Sequence, residues 1–415
     1  MAPRAERRNF LDMTSDSQKH RLLIAGAGVA GLEALAALRA VAPNRFDTTV
    51  VAPNSEFKLQ AASVEEPFAR PHASSYSVPA ICADHGATHL ADGLAAVNAQ
   101  ERRVSTVEGS ELGYDSLLVA VGATREPVFA GQAIVFRGDQ DAEAMQGLIQ
   151  DIEGGYTKRV VFIVPSGVTW PLPLYELAMM TARRAREMSE EDVSLVFITP
   201  EELPMAVFGQ NASAAVGRAL DEAGVELLAS SHVDRLSGGQ VHVSPSGQVI
   251  DAQRVVTVPR LQGPAITGLP ADDHGFMPVD EQCRVRGVDG VFAAGDGTTF
   301  PVKQGGVAAQ QADAAALAIA RAAGVEVDAQ PFDPVLRAKL LTGARAAYLR
   351  EALGPEGGEE TSTASEHALW WPPSKVAAPY LTGYLAGLGE RPHGRQPPAI
   401  HAEGDPSGGI ELLEE

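Results

Sequence analysis

Three apolar segments that each end in glycine constrain this chain more than any other feature. The first, RLLIAGAGVAGLEAL, places a short apolar strand at 22–25 before Gly26, Gly28 and Gly31 in a G-x-G-x-x-G pattern, and a helical run follows to Ala40. Glycines at such a turn let the backbone approach a pyrophosphate closely, and the helix N-terminus adds free N–H groups. Taken alone, the pattern also fits a strand-to-helix turn without a ligand.

Two later segments repeat this design in the same order along the chain. They are DSLLVAVGATREP, residues 115–127, and GVDGVFAAGDGTTFP, residues 287–301. In the second, Asp296 follows Gly295 at the strand exit, where a carboxylate can accept a hydrogen bond from a ribose or ribityl hydroxyl. No single segment would be specific, but the ordered set of three is.

Together the three segments resemble the FAD-binding motifs of the pyridine nucleotide-disulphide oxidoreductase superfamily. The resemblance covers residues 21–388. It implies an α/β fold with two Rossmann-like dinucleotide-binding domains, in which the second is inserted into a discontinuous FAD-binding domain, and a C-terminal capping region. We predict that the cofactor is FAD and that its binding residues are Gly26, Gly28, Val29, Ala30, Gly31, Glu56, Gly122, Gly295, Asp296, Gln304, Gly305 and Gly306.

The resemblance also predicts how the chain is divided. The expected parts are a disordered leader at 1–19, the first part of the FAD-binding domain at 20–128, an inserted NAD(P)-binding-like domain at 129–249, the second part of the FAD-binding domain at 250–325, the C-terminal region at 326–388 and a flexible tail at 389–415. Within the C-terminal region, residues 354–366 have the composition of a polar, flexible connector.

The second strand of the first unit departs from the usual dinucleotide pattern. Such strands end in Asp or Glu, which hydrogen-bonds the ribose, but this strand ends at Ala52. Glu56, four residues later, could reach back to that position, although an exposed turn glutamate is the other interpretation. The sequence therefore leaves open which residue binds the ribose.

The inserted unit alternates strands and helices but lacks the glycines of a nucleotide site. Strand-like segments at 158–164, 192–199 and 224–230 enclose two helical ones and predict a βαβαβ unit. After the first strand only Gly167 is present, and Pro165, Pro171 and Pro173 lack the N–H groups that a pyrophosphate needs. Binding of NAD(P)H is accordingly doubtful.

This proline-containing loop looks more like that of sulfide:quinone oxidoreductases and flavocytochrome c sulfide dehydrogenases. In those proteins the loop carries a redox cysteine near the flavin, and Trp170 stands at that position here. Trp170 could cover the flavin or a substrate, which makes it a candidate catalytic residue, or it could simply fill the core. Cys82 and Cys283 lie outside the redox-cysteine contexts, so we do not expect cysteine chemistry.

A helix is predicted after the third glycine segment. In the superfamily the corresponding helix N-terminus points at the flavin, where its dipole favours the reduced state. Lys303, a second candidate catalytic residue, and Gln304 lead into this helix and could contact flavin or a quinone-like acceptor. Gln310 and Gln311 resemble glutamines at the quinone end of type II NADH dehydrogenases, or are ordinary helix-surface residues.

Composition excludes several classes of partner. The 33 basic and 53 acidic residues give a net charge of −20, which argues against nucleic acid or anionic lipid as an electrostatic partner. Two cysteines without metal-like spacing indicate neither a disulfide scaffold nor a metal site.

No signal peptide and no apolar window of about 18 residues is evident, so we expect a cytoplasmic protein. The aromatic-rich residues 367–388 could pack internally, form a homodimer contact or touch a membrane surface.

We therefore expect an FAD-dependent oxidoreductase that passes electrons from a reduced small-molecule donor through flavin to a quinone or similar acceptor, without cysteine chemistry. Two alternatives remain open. One is an NAD(P)H dehydrogenase with a non-standard nucleotide site, and the other is a flavin-binding sensor or scaffold without turnover.

Overall fold

A computed structural model describes residues 19–68, 74–190, 192–353 and 361–389. The strands are β1 (His20–Ala25), β2 (Phe46–Val51), β3 (Glu56–Lys58), β4 (Ser75–Ser77), β5 (Ala87–Leu90), β6 (Leu94–Asn98), β7 (Arg103–Thr106), β8 (Glu111–Gly113), β9 (Ser116–Val119), β10 (Thr124–Glu126), β11 (Ile134–Val135), β12 (Arg159–Ile163), β13 (Ser194–Ile198), β14 (Val225–Leu228), β15 (His232–Ser237), β16 (Gln240–Ser244), β17 (Val249–Asp251), β18 (Arg254–Thr257), β19 (Arg260–Gln262), β20 (Val291–Ala293), β21 (Val335–Leu340), β22 (Ala347–Ala352) and β23 (Thr363–Ser365). The α-helices are α1 (Val29–Val41), α2 (Val78–Asp84), α3 (Ala142–Glu153), α4 (Leu172–Glu187), α5 (Gly209–Glu222), α6 (Gly305–Ala322) and α7 (Pro379–Gly389). The predicted leader up to residue 18 and the predicted tail from residue 390 lie outside the described residues.

The first unit is built on a parallel sheet with the strand order β20-β9-β1-β2-β5. Side chains of β1 alternate between its two faces, and both faces are buried, as expected for a parallel sheet. Leu22 and Ile24 join the core beneath α1 and α6, whereas Leu23 and Ala25 join a second core. The antiparallel sheet β6-β7-β8 covers that second core with Val97 and Val104.

The second unit repeats this architecture. Its parallel sheet has the order β11-β18-β12-β13-β14, with helices α3, α4 and α5 on one face. The antiparallel sheet β15-β16-β17 packs against the other face. The predicted α/β fold with two Rossmann-like units and the βαβαβ alternation are confirmed. By strand pairing, the second unit runs past the predicted boundary at residue 249, because β18 at Arg254–Thr257 lies beside β12 in its sheet.

The C-terminal region joins the two units. Buried side chains of β21 extend the core of the second unit around α4, and α7 packs on α1 of the first unit. Part of the predicted connector at 354–366 is strand, because Thr363–Ser365 pairs with β22 in the antiparallel sheet β21-β22-β23. None of the helices in the described ranges is long and apolar enough to cross a membrane.

Candidate functional site

The first glycine turn is shaped by close contacts within the chain. Gly26 has φ +110°, and a Cβ atom there would lie 2.2 Å from the carbonyl oxygen of Ala120. A Cβ atom on Gly31 would lie 2.0 Å from the carbonyl oxygen of Gly26. Gly28 differs, because nothing lies within 4 Å of its Cβ position at the N-terminus of α1. Two glycines therefore let the chain close the turn, and the third leaves open space beside free helix N–H groups.

The three glycine segments meet at one edge of the first sheet. β20, β9 and β1 are adjacent and parallel, so their carboxyl ends lie side by side. Gly122, with φ +74°, follows β9, and its carbonyl oxygen lies 2.9 Å from the Cβ position of Gly297. Gly295, with φ +86°, follows β20 and separates Ala30 of α1 from Ala308 of α6. Val29, Ala30 and the predicted glycines are thus brought together, and their contact with FAD stays a prediction.

Asp296 and Lys303 are titratable groups at this edge, and the charge of each affects the pKa of the other. Asp296 is half-buried, and burial raises its pKa, while the charges of Lys303 and Arg125 act in the opposite direction. Burial lowers the pKa of Lys303 to about 8, and the charges of Asp296 and Asp272 oppose this change. The Lys303 ammonium donates to the carbonyl of Thr298 and lies 3.9 Å from the centre of the Phe276 ring. Its surroundings are those of a partly desolvated cation rather than of a solvated surface lysine.

The N-terminus of α6 has an unsatisfied polar group. Gln304 is 7% exposed, and its side-chain oxygen accepts a hydrogen bond of 2.7 Å from the N–H of Gly306. The Nε2 atom of Gln304 is buried and has no hydrogen-bond partner among the described residues. Gly305 is packed by Val376, whose methyl groups lie 3.0 Å from its Cβ position. A buried amide without a partner needs an acceptor, so this helix N-terminus and the open space beside Gly28 fit a polar cofactor such as FAD.

Gln310 and Gln311 have structural contacts that the sequence did not reveal. Gln311 is 1% exposed, and its oxygen accepts a hydrogen bond of 2.8 Å from the N–H of Gly295. Gln310 donates to the carbonyls of Gly306 and Val335 and accepts from the N–H of Val335, each at 2.9 Å. One glutamine therefore holds the third glycine turn in place, and the other fastens β21 to α6.

Glu56 lies at the surface on β3, and its carboxylate accepts a hydrogen bond of 2.9 Å from Ser75 on β4. This contact supports the β3-β4 pair. Ala52, which directly follows β2, is buried, and an alanine offers no carboxylate for a ribose at that strand end. A role of Glu56 in binding FAD stays a prediction.

The proline-containing loop of the second unit runs from β12 to α4. Gly167 has φ +85°, and Pro171 directly precedes the first helical residue. Trp170 is half-buried, and its ring centre lies 5.8 Å from that of Phe208. This contact favours the packing interpretation of Trp170 and does not test its predicted catalytic role.

The acidic residue after β13 is engaged inside the second unit. Glu201 accepts hydrogen bonds from the Tyr175 hydroxyl at 2.7 Å, the Thr199 hydroxyl at 3.0 Å and the N–H of Ala206 at 3.3 Å. Burial raises the pKa of Glu201, and the hydrogen bonds from Tyr175 and Thr199 oppose that rise. Both carboxylate oxygens therefore already serve protein donors, which weakens the case for ribose recognition at this strand end.

The two cysteines are buried thiols. Burial raises the pKa of Cys82 to about 11 and that of Cys283 to about 12. Both thiols thus stay protonated near neutral pH, and a protonated thiol is a poor nucleophile.

Two buried charged groups were missed by sequence reasoning. Glu33, in the middle of α1, is fully buried and accepts hydrogen bonds from the N–H groups of Tyr380 at 3.0 Å and Leu381 at 2.6 Å. Glu176 on α4 is also fully buried and forms an ion pair with Lys375. The available signal was an acidic residue within an apolar stretch of helix, Glu33 in GLEALAAL and Glu176 in LPLYELAMM, since such a residue needs a buried partner.

Comparison with known proteins matches this arrangement. The family model described as pyridine nucleotide-disulphide oxidoreductase matches residues 20–316. The chain is 28% identical over 295 residues to the NADH dehydrogenase-like protein Rv1812c of Mycobacterium tuberculosis, covering 66% of this chain and 72% of that one.

Among solved structures, the sulfide:quinone oxidoreductase from Aquifex aeolicus superposes with a TM-score of 0.74 at 18% identity, covering 90% of this chain and 96% of that one. NDH2 from Plasmodium falciparum, in complex with NADH, has a TM-score of 0.55 at 16% identity, covering 68% of this chain and 65% of that one. At these identities the structural likeness shows the fold, while the family match covers more than half of the sequence. The chain therefore belongs to the pyridine nucleotide-disulphide oxidoreductase family and is an FAD-dependent oxidoreductase.

Proposed function

We propose that this chain binds FAD along the carboxyl-terminal edge of its first sheet and catalyses electron transfer from a reduced donor to a quinone or a similar small acceptor. The observation that carries the proposal is the meeting of the three glycine segments at one sheet edge, beside the N-terminus of α6. FAD, when bound, supplies the redox chemistry, and the protein supplies orientation and electrostatics.

Each segment would have a distinct task. The open space at Gly28 and the free N–H groups of α1 would take the pyrophosphate. Asp296 would accept a hydrogen bond from a sugar hydroxyl of the cofactor. The N-terminus of α6, with the unpartnered amide of Gln304, would stabilise negative charge that develops on reduction.

Lys303 would act as a cation close to the reacting region. Its lowered pKa of about 8 leaves it able to release and regain a proton near neutral pH. The contact with Phe276 and the hydrogen bond to Thr298 restrict its position. We assign it the role of supplying positive charge, or a proton, when electrons move to the acceptor.

The second unit supports a donor other than NAD(P)H. Its loop retains one glycine among three prolines, and Glu201 is occupied by Tyr175 and Thr199. The buried thiols of Cys82 and Cys283 support a route without cysteine chemistry. The quinone is proposed by analogy with the sulfide:quinone oxidoreductase, whose fold extends over nearly the whole chain.

An NAD(P)H dehydrogenase is the second candidate. It is favoured by the likeness to the NADH dehydrogenase-like protein and by the NADH complex of NDH2. In that case the nucleotide would have to bind without the usual glycine turn.

An anaerobic titration of the purified holoprotein separates these candidates. The flavin spectrum is recorded after addition of NADH, NADPH or sulfide, and dithionite serves as the positive control for reduction. The dithionite-reduced protein is then mixed with decylubiquinone in a stopped-flow instrument. We expect no rapid bleaching by either nicotinamide nucleotide and rapid reoxidation by the quinone.

Bleaching by NADH within seconds would establish the second candidate. Reoxidation by quinone no faster than that of free reduced FAD would refute the proposed acceptor class. A colourless protein that stays colourless after incubation with FAD would contradict the cofactor assignment itself.

The role of Lys303 is tested with Lys303→Met, and Lys158→Met is the matched control because Lys158 is a surface lysine paired with Asp192. We expect slower reoxidation in the Lys303 variant and loss of the pH dependence near pH 8. Identical pH profiles of the reoxidation rate for the wild type and Lys303→Met would show that Lys303 has only a structural role.

A further inference from the structure

The C-terminal sheet carries two arginines that face each other. In the antiparallel pair β21-β22, Arg337 lies directly opposite Arg350. Neighbouring positions confirm which face they share, because Leu336, Ala338 and Leu349 are buried in the core on the other side. Like charges directly opposite in a sheet repel each other, with side chains about 5 Å apart at Cβ.

Neither arginine has a counter-charge in the described part of the chain. No hydrogen bond or ion pair of either guanidinium occurs there, although both side chains are half-buried. Burial lowers the pKa of Arg337, and the charge of Arg350 adds to this effect. The adjacent acidic residue, Glu351, points to the opposite face, where Thr361 donates to it.

A third cation completes the face. Lys339 lies two residues from Arg337, and its ammonium is 5.8 Å from the centre of the Tyr348 ring and 3.3 Å from the carbonyl oxygen of Pro373. Thr363 of β23 lies opposite Arg350 and adds a hydroxyl to the same face. This concentration of positive charge stands out in a chain with a net charge of −20, where carboxylates are plentiful.

We propose that Arg337 and Arg350, with Lys339, bind a phosphate-type oxyanion on this face of the C-terminal sheet. Guanidinium groups match the geometry of phosphate oxygens through paired N–H donors, and an anion between them turns mutual repulsion into attraction. The oxyanion belongs to a soluble phosphate compound or to a phospholipid headgroup. The proposal does not depend on the proposed electron transfer, since none of these residues is assigned a role in it.

The test uses full-length holoprotein and thermal unfolding in buffers of equal ionic strength, with chloride or with increasing inorganic phosphate. We expect a saturable rise in melting temperature with phosphate for the wild type. In Arg350→Gln the rise disappears, and without phosphate this variant melts at or above the wild-type temperature because the repulsion is relieved. Arg345→Gln is the control, because Arg345 lies in the same sheet region, is exposed and pairs with Glu366 at 3.4 Å.

Three results would overturn the proposal: a wild type that responds alike to phosphate and chloride, an Arg350→Gln variant that keeps the phosphate response, or one that is clearly destabilised without phosphate.

Sedimentation with vesicles then identifies the source of the anion. Arg350-dependent binding to phosphatidylglycerol vesicles, but not to phosphatidylcholine vesicles, assigns a lipid headgroup. A phosphate response without vesicle binding assigns a soluble phosphate compound. An unchanged flavin titration in the same variants shows that a lost phosphate response is not caused by a lost redox function.

Discussion

Protonation of Glu33 is expected to control how firmly α7 is held on the first unit. Glu33 is fully buried and accepts two backbone N–H groups at the start of α7. Burial raises its pKa from 4.5 to about 7, and the two N–H donors oppose this change. Asp313 of α6 is the titratable neighbour, and its pKa is raised by burial and by the charge of Glu33. Tyr380 of α7 also faces the pair, and its pKa is raised by burial and by both acids.

The sign of the effect follows from proton binding. A group with a raised pKa in the folded state binds its proton more tightly there than in the unfolded chain. Its contribution to stability is therefore fully present below pH 4.5 and is lost as the pH rises through about 7. One pKa unit corresponds to about 1.4 kcal/mol, so the loss amounts to about 3 kcal/mol for Glu33 alone.

The variant Glu33→Gln removes this titration. At pH 5, where Glu33 of the wild type is protonated, we expect the variant to be less stable by about 1–3 kcal/mol, because the hydroxyl oxygen of the acid can still accept one of the two N–H groups, whereas the amide nitrogen that replaces it cannot. As the pH rises to 8, this difference shrinks or changes sign, because only the wild type loses stability from this group. Asp47→Asn, which makes the same carboxyl-to-amide type of change at an exposed position, is the control substitution.

The assay is denaturant unfolding of the holoprotein from pH 5 to 8, combined with hydrogen exchange of the α7 amides. Subtracting the wild-type and variant profiles cancels the contributions of all groups that titrate equally in both. A constant difference across this range would contradict the raised pKa of Glu33, since it would mean that Glu33 does not change its protonation on folding. A pH-dependent difference without any change in exchange at Tyr380 and Leu381 would place the effect elsewhere than at α7.

Three further predictions concern the site and its supports. Gly28→Ala should leave the apoprotein folded, because its Cβ position is open, but should lower the ratio of bound FAD to protein measured by absorbance. Lys375→Met should destabilise the protein by about 3–5 kcal/mol in denaturant unfolding, because it leaves the buried Glu176 without its counter-charge and with only the N–H of Leu341 as a hydrogen-bond donor. Adding Glu176→Leu should restore much of this loss, and a neutral single variant would refute the prediction. Cys82→Ala together with Cys283→Ala should leave the rate of flavin reduction unchanged, whereas loss of reduction in a stable, yellow variant would show that a thiol takes part.

Local periodicity made much of the fold predictable. The apolar runs before Gly26 and Gly295 form β1 and β20, and the strands and helices of the second unit lie where the alternation placed them. The local sequence determines these strands and helices, through the spacing of the apolar residues and the glycines at the ends of the elements. The structure adds the convergence of the glycine segments, because the carboxyl ends of the adjacent parallel strands β20, β9 and β1 share an edge.

The supporting contacts could not be read from the sequence. Gln311 bonds to Gly295 through the fold of the third glycine turn, Arg337 faces Arg350 through the register of β21 and β22, and Glu33 bonds to the start of α7, 347 residues later in the chain. The position of a glutamine or an arginine in the sequence is the same whether its side chain is solvated or makes such a contact. The pairing of β18 with β12 in the sheet of the second unit is likewise a long-range contact that local sequence does not reveal.

The insertion of the second unit has a consequence for the order of folding during synthesis. The turn at Gly26–Gly31 leaves the ribosome early, but β20, which pairs with β9, begins only at residue 291, and α6, which packs on α1, follows it. The inserted unit has its own sheet and core, and the antiparallel pair β10-β19 brings its two ends together. Once that unit has folded, the long separation between β9 and β20 is bridged, so the entropic cost of closing the first sheet falls. Flavin retention is then a late event whose yield depends on the stability of a unit that contributes none of the glycine segments.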